Sequence, residues 1–200
     1  MASSDSAQRP LILASTSRYR AQLLRQLQVE FTTANPQVDE TALPGESADT
    51  LALRLAHAKA AAVAAAHAGA VVIGADQVGT CDGRLLTKPM SAHAAERELR
   101  ALSGRAAHFY SAVAVHDADE ANGAVVRTDL TFRQLTEQAV AYYVAVDNPI
   151  DCAGAFKVES LGISLFTSVN SNDPSAIVGL PLIALVSMLT ACGIHPLQAP

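Results

Sequence analysis

A short apolar run, Leu11-Ile12-Leu13-Ala14, gives way abruptly to the polar triplet Ser15-Thr16-Ser17. Tyr19 to Leu27 then places Leu23, Leu24 and Leu27 on one face at helical spacing. The pattern predicts strand, polar turn and helix, with Ser and Thr hydroxyls available as helix caps. Residues 29 to 34 read as a second strand. Residues 35 to 47 read as a loop rich in Pro, Gly and acidic residues. Ala48 to Ala68 carries Leu51, Leu55, Ala58 and Ala62 at helical spacing, which predicts a long helix of the strongest helix former, ended by Gly69. Val71 to Ala75 is a buried strand continuing to Gly79 or beyond, and Asp82-Gly83 is a hairpin signal.

Further on, Ser91 to Leu102 predicts a Ser-capped helix with Gly104 at its end. Phe109 to His116 and Ala124 to Phe132 predict paired strands joined through a polar turn at Asp117 to Gly123. Thr136 to Val146 predicts a Thr-capped helix, and residues 150 to 175 read as loop and short strand. Ala176 to Ile194 lacks charge, but Gly179 and Pro181 interrupt its start. The roughly 12-residue helix left after Pro181 is too short to span a bilayer, so it is expected to be a buried closing helix. Strands alternate with helices around at least one hairpin, which predicts an α/β class with a mixed sheet flanked by helices. The expected organisation is a disordered tail over residues 1–9 and one domain over residues 10–198.

Composition narrows the function. The 200 residues are 50% hydrophobic but only 4% aromatic, so the core must be aliphatic. The formal net charge of −5 argues against a general nucleic-acid binder, which needs excess cations, and leaves a small anionic partner open. Cys81, Cys152 and Cys192 are odd in number and widely spaced, with no disulfide framework or zinc pattern. They suit a reducing cytosol, as small buried hydrophobes. Met1 to Pro10 has no apolar core of a signal peptide, so a cytoplasmic location is expected.

Four features could carry chemistry. Ser15 to Arg20 brings hydroxyls, free N–H groups, a helix dipole and two guanidinium groups to one turn, which is either an anion site or an ordinary capped helix. Asp39-Glu40 offers adjacent carboxylates that suit Mg²⁺ or Mn²⁺, or simply a solvated acidic loop. Asp76 ends an apolar stretch, where a charge is costly unless it is paired or metal-bound, making it the first choice for a general base or metal ligand. Lys59, Lys88 and Lys157 are the only lysines, and each could equally be solvated. Together these groups are the set that phosphoanhydride hydrolysis needs: cations and a metal to neutralise charge, and a carboxylate to activate water. His57, His67, His93, His108 and His116 lack paired-ligand spacing, and no serine has a GxSxG context.

Seven stretches, in order along nearly the whole chain, resemble the Maf family. They are Leu-Ile-Leu-Ala-Ser-Thr-Ser-Arg-Tyr-Arg (11–20), Val-Asp-Glu-Thr (38–41), Ile-Gly-Ala-Asp-Gln (73–77), Lys-Pro (88–89), Leu-Ser-Gly (102–104), Ala-Gly-Ala-Phe-Lys-Val-Glu (153–159) and Val-Gly-Leu-Pro-Leu (178–182). The resemblance implies a metal-dependent nucleoside triphosphate pyrophosphatase, with an elongated mixed α/β fold, two lobes, a central cleft and a homodimeric assembly. By matching position it implies Asp76 as proton acceptor, Ser15, Arg20, Lys59 and Lys88 around the triphosphate, and Glu40 with Asp76 on a divalent metal. Tyr19, Gln77 and Glu159 are similar to the branch that hydrolyses 7-methyl-GTP rather than the dTTP/UTP branch. A positively charged N7-methylguanine would favour the aromatic face of Tyr19 and the Glu159 carboxylate. Arg18, Thr87 and Ser160 depart from the usual Pro, Gly and Gly, which bears on fine specificity. The alternatives are dTTP/UTP or broader modified-nucleotide specificity and, in another class, a non-catalytic nucleotide-sensing module acting in septum formation.

Overall fold

Every side chain of Leu11–Ala14 is buried, because this strand, β1, lies between two strands and two helical layers. β1 pairs in parallel with β2 (Thr32–Ala34) on one side and with β3 (Val71–Cys81) on the other. β3 continues antiparallel to β5 (Ala106–Asp117), β5 to β6 (Glu120–Phe132) and β6 to β7 (Phe166–Ser171), while β4 (Arg84–Leu86) pairs with the end of β3. The seven-stranded sheet is mixed and flanked by helices, as expected. This computed structural model describes residues 9–198. The expected disordered tail falls on residues 1–8, outside the described residues; Arg9, counted with it, pairs with Asp117 and donates to Cys192 O at 2.7 Å.

Alternation along the strands assigns the two faces. Leu11, Leu13, Val71, Ile73, Val113 and Val115 form a core with α1 (Arg18–Arg25) and α5 (Leu182–Ala191). The opposite face meets α2 (Ala48–Ala64) through Leu51, Leu55, Ala56, Ala112 and Ala114, and through Ile12, Ala60, Val63 and Val72. A second lobe packs α3 (Ala92–Leu102) and α4 (Glu137–Asp147) over the far halves of β5 and β6, around Phe109, Phe132, Phe156 and Phe166. The few aromatics are concentrated there in edge-to-face pairs.

Gly74 sets how closely α2 approaches the sheet. A Cβ there would lie 2.0 Å from Ala56 O and 2.7 Å from Ala60 N. The glycine and the alanines of α2 together bring the helix backbone onto β3.

Several boundaries differ from the sequence reading. α2 stops at Ala64, short of the expected Ala68, because an alanine-rich stretch carries no internal stop signal for a sequence reading to find; turns then lead to Gly69 at φ +79°. β2 is only three residues long, at the sheet edge. The β5–β6 hairpin turns over Ala118–Asp119, not over Asp117 to Gly123, with Ala118 at φ +50°. Cys81 is buried as expected, but Cys152 and Cys192 are only half-buried. Asp76 does not end its strand: β3 runs on to Cys81. What ends nearby is β1, whose last residue, Ala14, pairs with Gly74.

Candidate active site

Because β1 stops beside Gly74 while β3 continues, a cleft of about 730 Å³ opens at the carboxyl end of the parallel strands. Open α/β sheets bind ligands at such a point. Ser15, Tyr19, Arg20, Glu40, Lys59, Asp76, Gln77 and Lys88 all line it. Glu159 lines a smaller adjoining pocket of about 140 Å³, which also shares Tyr19, Gln77 and Lys88.

The helix start is a turn held by its own hydroxyls at the edge of the cleft. Ser17 caps α1, its Oγ accepting from Arg20 N at 3.4 Å, and Ser15 Oγ accepts from Ser17 N at 3.2 Å. Arg18 is the first helical residue, a position where Pro is equally at home, so its departure from the family pattern leaves the turn intact. Its side chain stacks on Tyr19 at 4.8 Å and donates to Tyr19 Oη at 2.7 Å. Arg20 Nε donates to Gly179 O at 2.9 Å, and its Nη1 lies 3.5 Å from Ser15 Oγ. Burial pulls the Arg20 guanidinium below its ordinary pKa, against the opposing charges of Asp76 and Glu40.

Lys59 and Asp76 are both nearly buried, and Lys59 Nζ donates to Asp76 Oδ1 at 2.6 Å. The same ammonium meets Glu40 Oε1 at 2.5 Å. Partial burial acts to raise the Glu40 carboxyl, but the bond to Lys59 and the charges of Lys59, Lys88 and Arg20 outweigh it and hold it below its ordinary value. Asp39, adjacent in sequence, turns away: its Oδ1 accepts from Thr41 N at 2.9 Å and Thr41 Oγ1 at 2.6 Å. Lys88 is exposed at the rim, where Pro89 and the Met90 N bond to Ile150 O tie its segment down.

The donor set can be tested against a divalent cation. Glu40 and Asp76 converge on one cationic centre, and no group of three or more His, Cys, Asp or Glu occurs among the described residues. Two carboxylates with the remaining positions left to phosphate oxygens and water suit Mg²⁺ or Mn²⁺.

Other residues have structural duties. Lys157 Nζ caps the end of α4 through Asp147 O at 2.7 Å and Asn148 O at 3.0 Å. Ser160 bonds Asp147 Oδ2 at 2.7 Å, so this departure adds a contact within the second lobe. Thr87 is exposed, and nothing in the structure explains it. Burial, with Asp151, pushes the Cys152 thiol up to about 12, away from the thiolate form that a nucleophile needs. Sequence reasoning missed Asp151, which lines both the cleft and the smaller pocket from a segment with no local signal. It also missed Gly179, whose carbonyl holds Arg20.

The sheet, its early-ending parallel strand and the cation–carboxylate cleft define an α/β protein with a charged cleft at a strand switch point. Such a site on this chain has recognisable kin. A family model described as Maf-like protein matches residues 10–192, and the chain belongs to the Maf family. It is 53% identical over 187 residues, 94% of each chain, to the 7-methyl-GTP pyrophosphatase of Bordetella pertussis. Identity is 49% with the protein of that name from Xanthomonas oryzae pv. oryzae, covering 92% of this chain and 97% of the relative. It is 45% with that from Idiomarina loihiensis, covering 94% and 98%. Among solved structures, that of the Staphylococcus aureus Ham1 protein overlaps 63% of this chain and 73% of its own, at a TM-score of 0.45 and 17% identity. No helix among the described residues is long and apolar enough to cross a membrane.

Proposed function

We propose that the chain hydrolyses the α–β phosphoanhydride of 7-methyl-GTP, releasing 7-methyl-GMP and diphosphate. The observation that carries the chemistry is the nearly buried Lys59–Asp76 pair with Glu40 on the same ammonium, facing the capped start of α1 across the cleft. The likeness, over 92–94% of this chain, to the relatives named 7-methyl-GTP pyrophosphatase supports the substrate.

In this reading the triphosphate enters with its charge toward Arg20, Lys88, Ser15 and the free N–H groups of α1. Glu40 and Asp76 would hold Mg²⁺ or Mn²⁺ with the phosphate oxygens. When bound, that cation supplies charge neutralisation at the phosphate under attack. Asp76 takes the proton from the attacking water, and Lys59 orients the Asp76 carboxylate. The methylated base enters the smaller pocket, where Tyr19 offers an aromatic face and Glu159 a carboxylate to its positive charge.

The test is diphosphate release by purified protein with Mg²⁺ or Mn²⁺ across 7-methyl-GTP, GTP, UTP, dTTP and CTP. Turnover of 7-methyl-GTP well above the others is expected. Preference for UTP or dTTP would overturn the substrate and leave the chemistry. A folded, metal-replete sample inert to all five would overturn both and favour the nucleotide-sensing module.

A further inference from the structure

Ser111 is completely buried in β5, one of the few polar side chains buried among the described residues. A buried hydroxyl is retained only where it is hydrogen-bonded. Ser111 lies directly opposite Gln77 in the β3–β5 ladder, on the face away from α2. Gln77 Nε2 donates to Ser111 Oγ at 2.9 Å, Ala176 O at 3.1 Å and Ile177 O at 3.0 Å. Ser111 Oγ donates in turn to Ala176 O at 2.6 Å. Two side chains from the sheet thus fasten the carbonyls of a single helical turn, Ala176–Val178.

That turn exits through Gly179 at φ +117°, a conformation L side chains rarely adopt, and the Gly179 carbonyl accepts from Arg20 Nε. Its Nη1 also reaches Ser15 Oγ on the cleft wall at 3.5 Å, and Nη2 has no hydrogen bond among the described residues. An arginine held at Nε has lost much of its rotamer freedom before any anion arrives, which lowers the cost of binding one.

We propose that Ser111 and Gln77 are positioning residues that fix the Ala176–Gly179 turn and thereby aim Arg20 at the substrate phosphates. This rests on reading the cleft as a triphosphate site, and it gives Gln77 a duty separate from contact with the base.

The test is a double-mutant cycle of Ser111→Ala with Arg20→Ala, read by calorimetric affinity for inorganic tripolyphosphate, a probe with no base. Gln77→Leu with Arg20→Ala is a second cycle, which serves if Ser111→Ala does not fold. Each clamp variant is expected to weaken tripolyphosphate by about tenfold. In the Arg20→Ala background the further loss should stay within about twofold. Losses that add independently, or a clamp variant that binds as the wild type does, would overturn the proposal, as would wild-type protein that does not bind tripolyphosphate. Turnover of 7-methyl-GTP measured alongside separates the two readings. An intact cycle in a protein that hydrolyses nothing sinks the proposed reaction and keeps the clamp. A failed cycle in an active enzyme sinks the clamp alone.

Discussion

Asp76 and Gln77 are consecutive residues of β3 that bond to opposite faces of the sheet: Asp76 to Lys59 of α2 at 2.6 Å, Gln77 to the Ile177 carbonyl at 3.0 Å on the other side. Strand alternation makes this unavoidable, and a one-residue slip in register would exchange the two. One dipeptide therefore ties both layers to the cleft, the α2 layer through a charge and the α5 layer through an amide.

Lys59→Met should be strongly destabilising. It leaves the Asp76 carboxylate, 7% exposed, without its nearest cation. Breaking a buried pair from one side costs about 3–5 kcal/mol. Adding Asp76→Asn to that variant removes the stranded charge and should restore part of the loss. Urea unfolding of the single and double variants decides it; a Lys59→Met protein as stable as the wild type would show that Asp76 needs no partner.

Gly74→Ala is expected to damage the site without touching a charged residue. Its Cβ would meet the main chain of α2 rather than a flexible side chain end, so the helix itself must move. Overpacking of this kind costs about 1–3 kcal/mol, occasionally more. The shift also draws Lys59, on the same helix, away from Asp76. Thermal unfolding and turnover should therefore fall together, and full activity in a destabilised Gly74→Ala protein would separate the packing from the pairing.

Acid should loosen the segment that carries Glu40. Arg54 grips Glu46 with Nε and Nη2 at 2.6 and 2.7 Å, and also donates to Thr41 O at 3.1 Å, binding the loop after Glu40 to α2. The Arg54 bonds, with the Leu43 N–H, lower the Glu46 carboxyl from 4.5 to about 2. A folded pKa below the unfolded one stabilises the fold above the unfolded value, and that contribution is lost as the pH falls toward the folded one. Glu46→Gln should thus melt lower than wild type at neutral pH, with the gap closing between pH 4.5 and about 2. A gap of the same size at both ends of that window would contradict the sign.

The residues that show in the sequence are those whose local pattern is costly or rare. Asp76 stands out as a charge in an apolar run, and Ser17 as a cap before a periodic segment. The Lys59–Asp76 pairing does not show, because the partners come from different layers and meet only through the close approach at Gly74. Ser111 does not show either: a single serine in a strand looks like any half-exposed position, and its burial depends on a turn 65 residues further on. The overlong reading of α2 has the same origin, since alanine favours helix but marks no end.

The choice of base should depend on charge at the smaller pocket. Glu159 is exposed there without a hydrogen-bond partner among the described residues, and Tyr19, with Arg18 stacked on its ring, lines the same pocket. N7-methylation adds a positive charge that GTP lacks, so a carboxylate and an aromatic face both favour the methylated base. Tyr19→Arg with Glu159→Gln replaces both by a cation and a neutral amide, and should lower kcat/KM for 7-methyl-GTP by about tenfold or more while changing that for GTP much less. The single Glu159→Gln variant should show a smaller loss that shrinks further in high salt, because an exposed charge is screened. Ranking kcat/KM for the two nucleotides in wild type, single and double variants gives the answer. An unchanged preference in the double variant would mean that the pocket recognises the methyl group by shape, and that Tyr19 and Glu159 play no part in the selection.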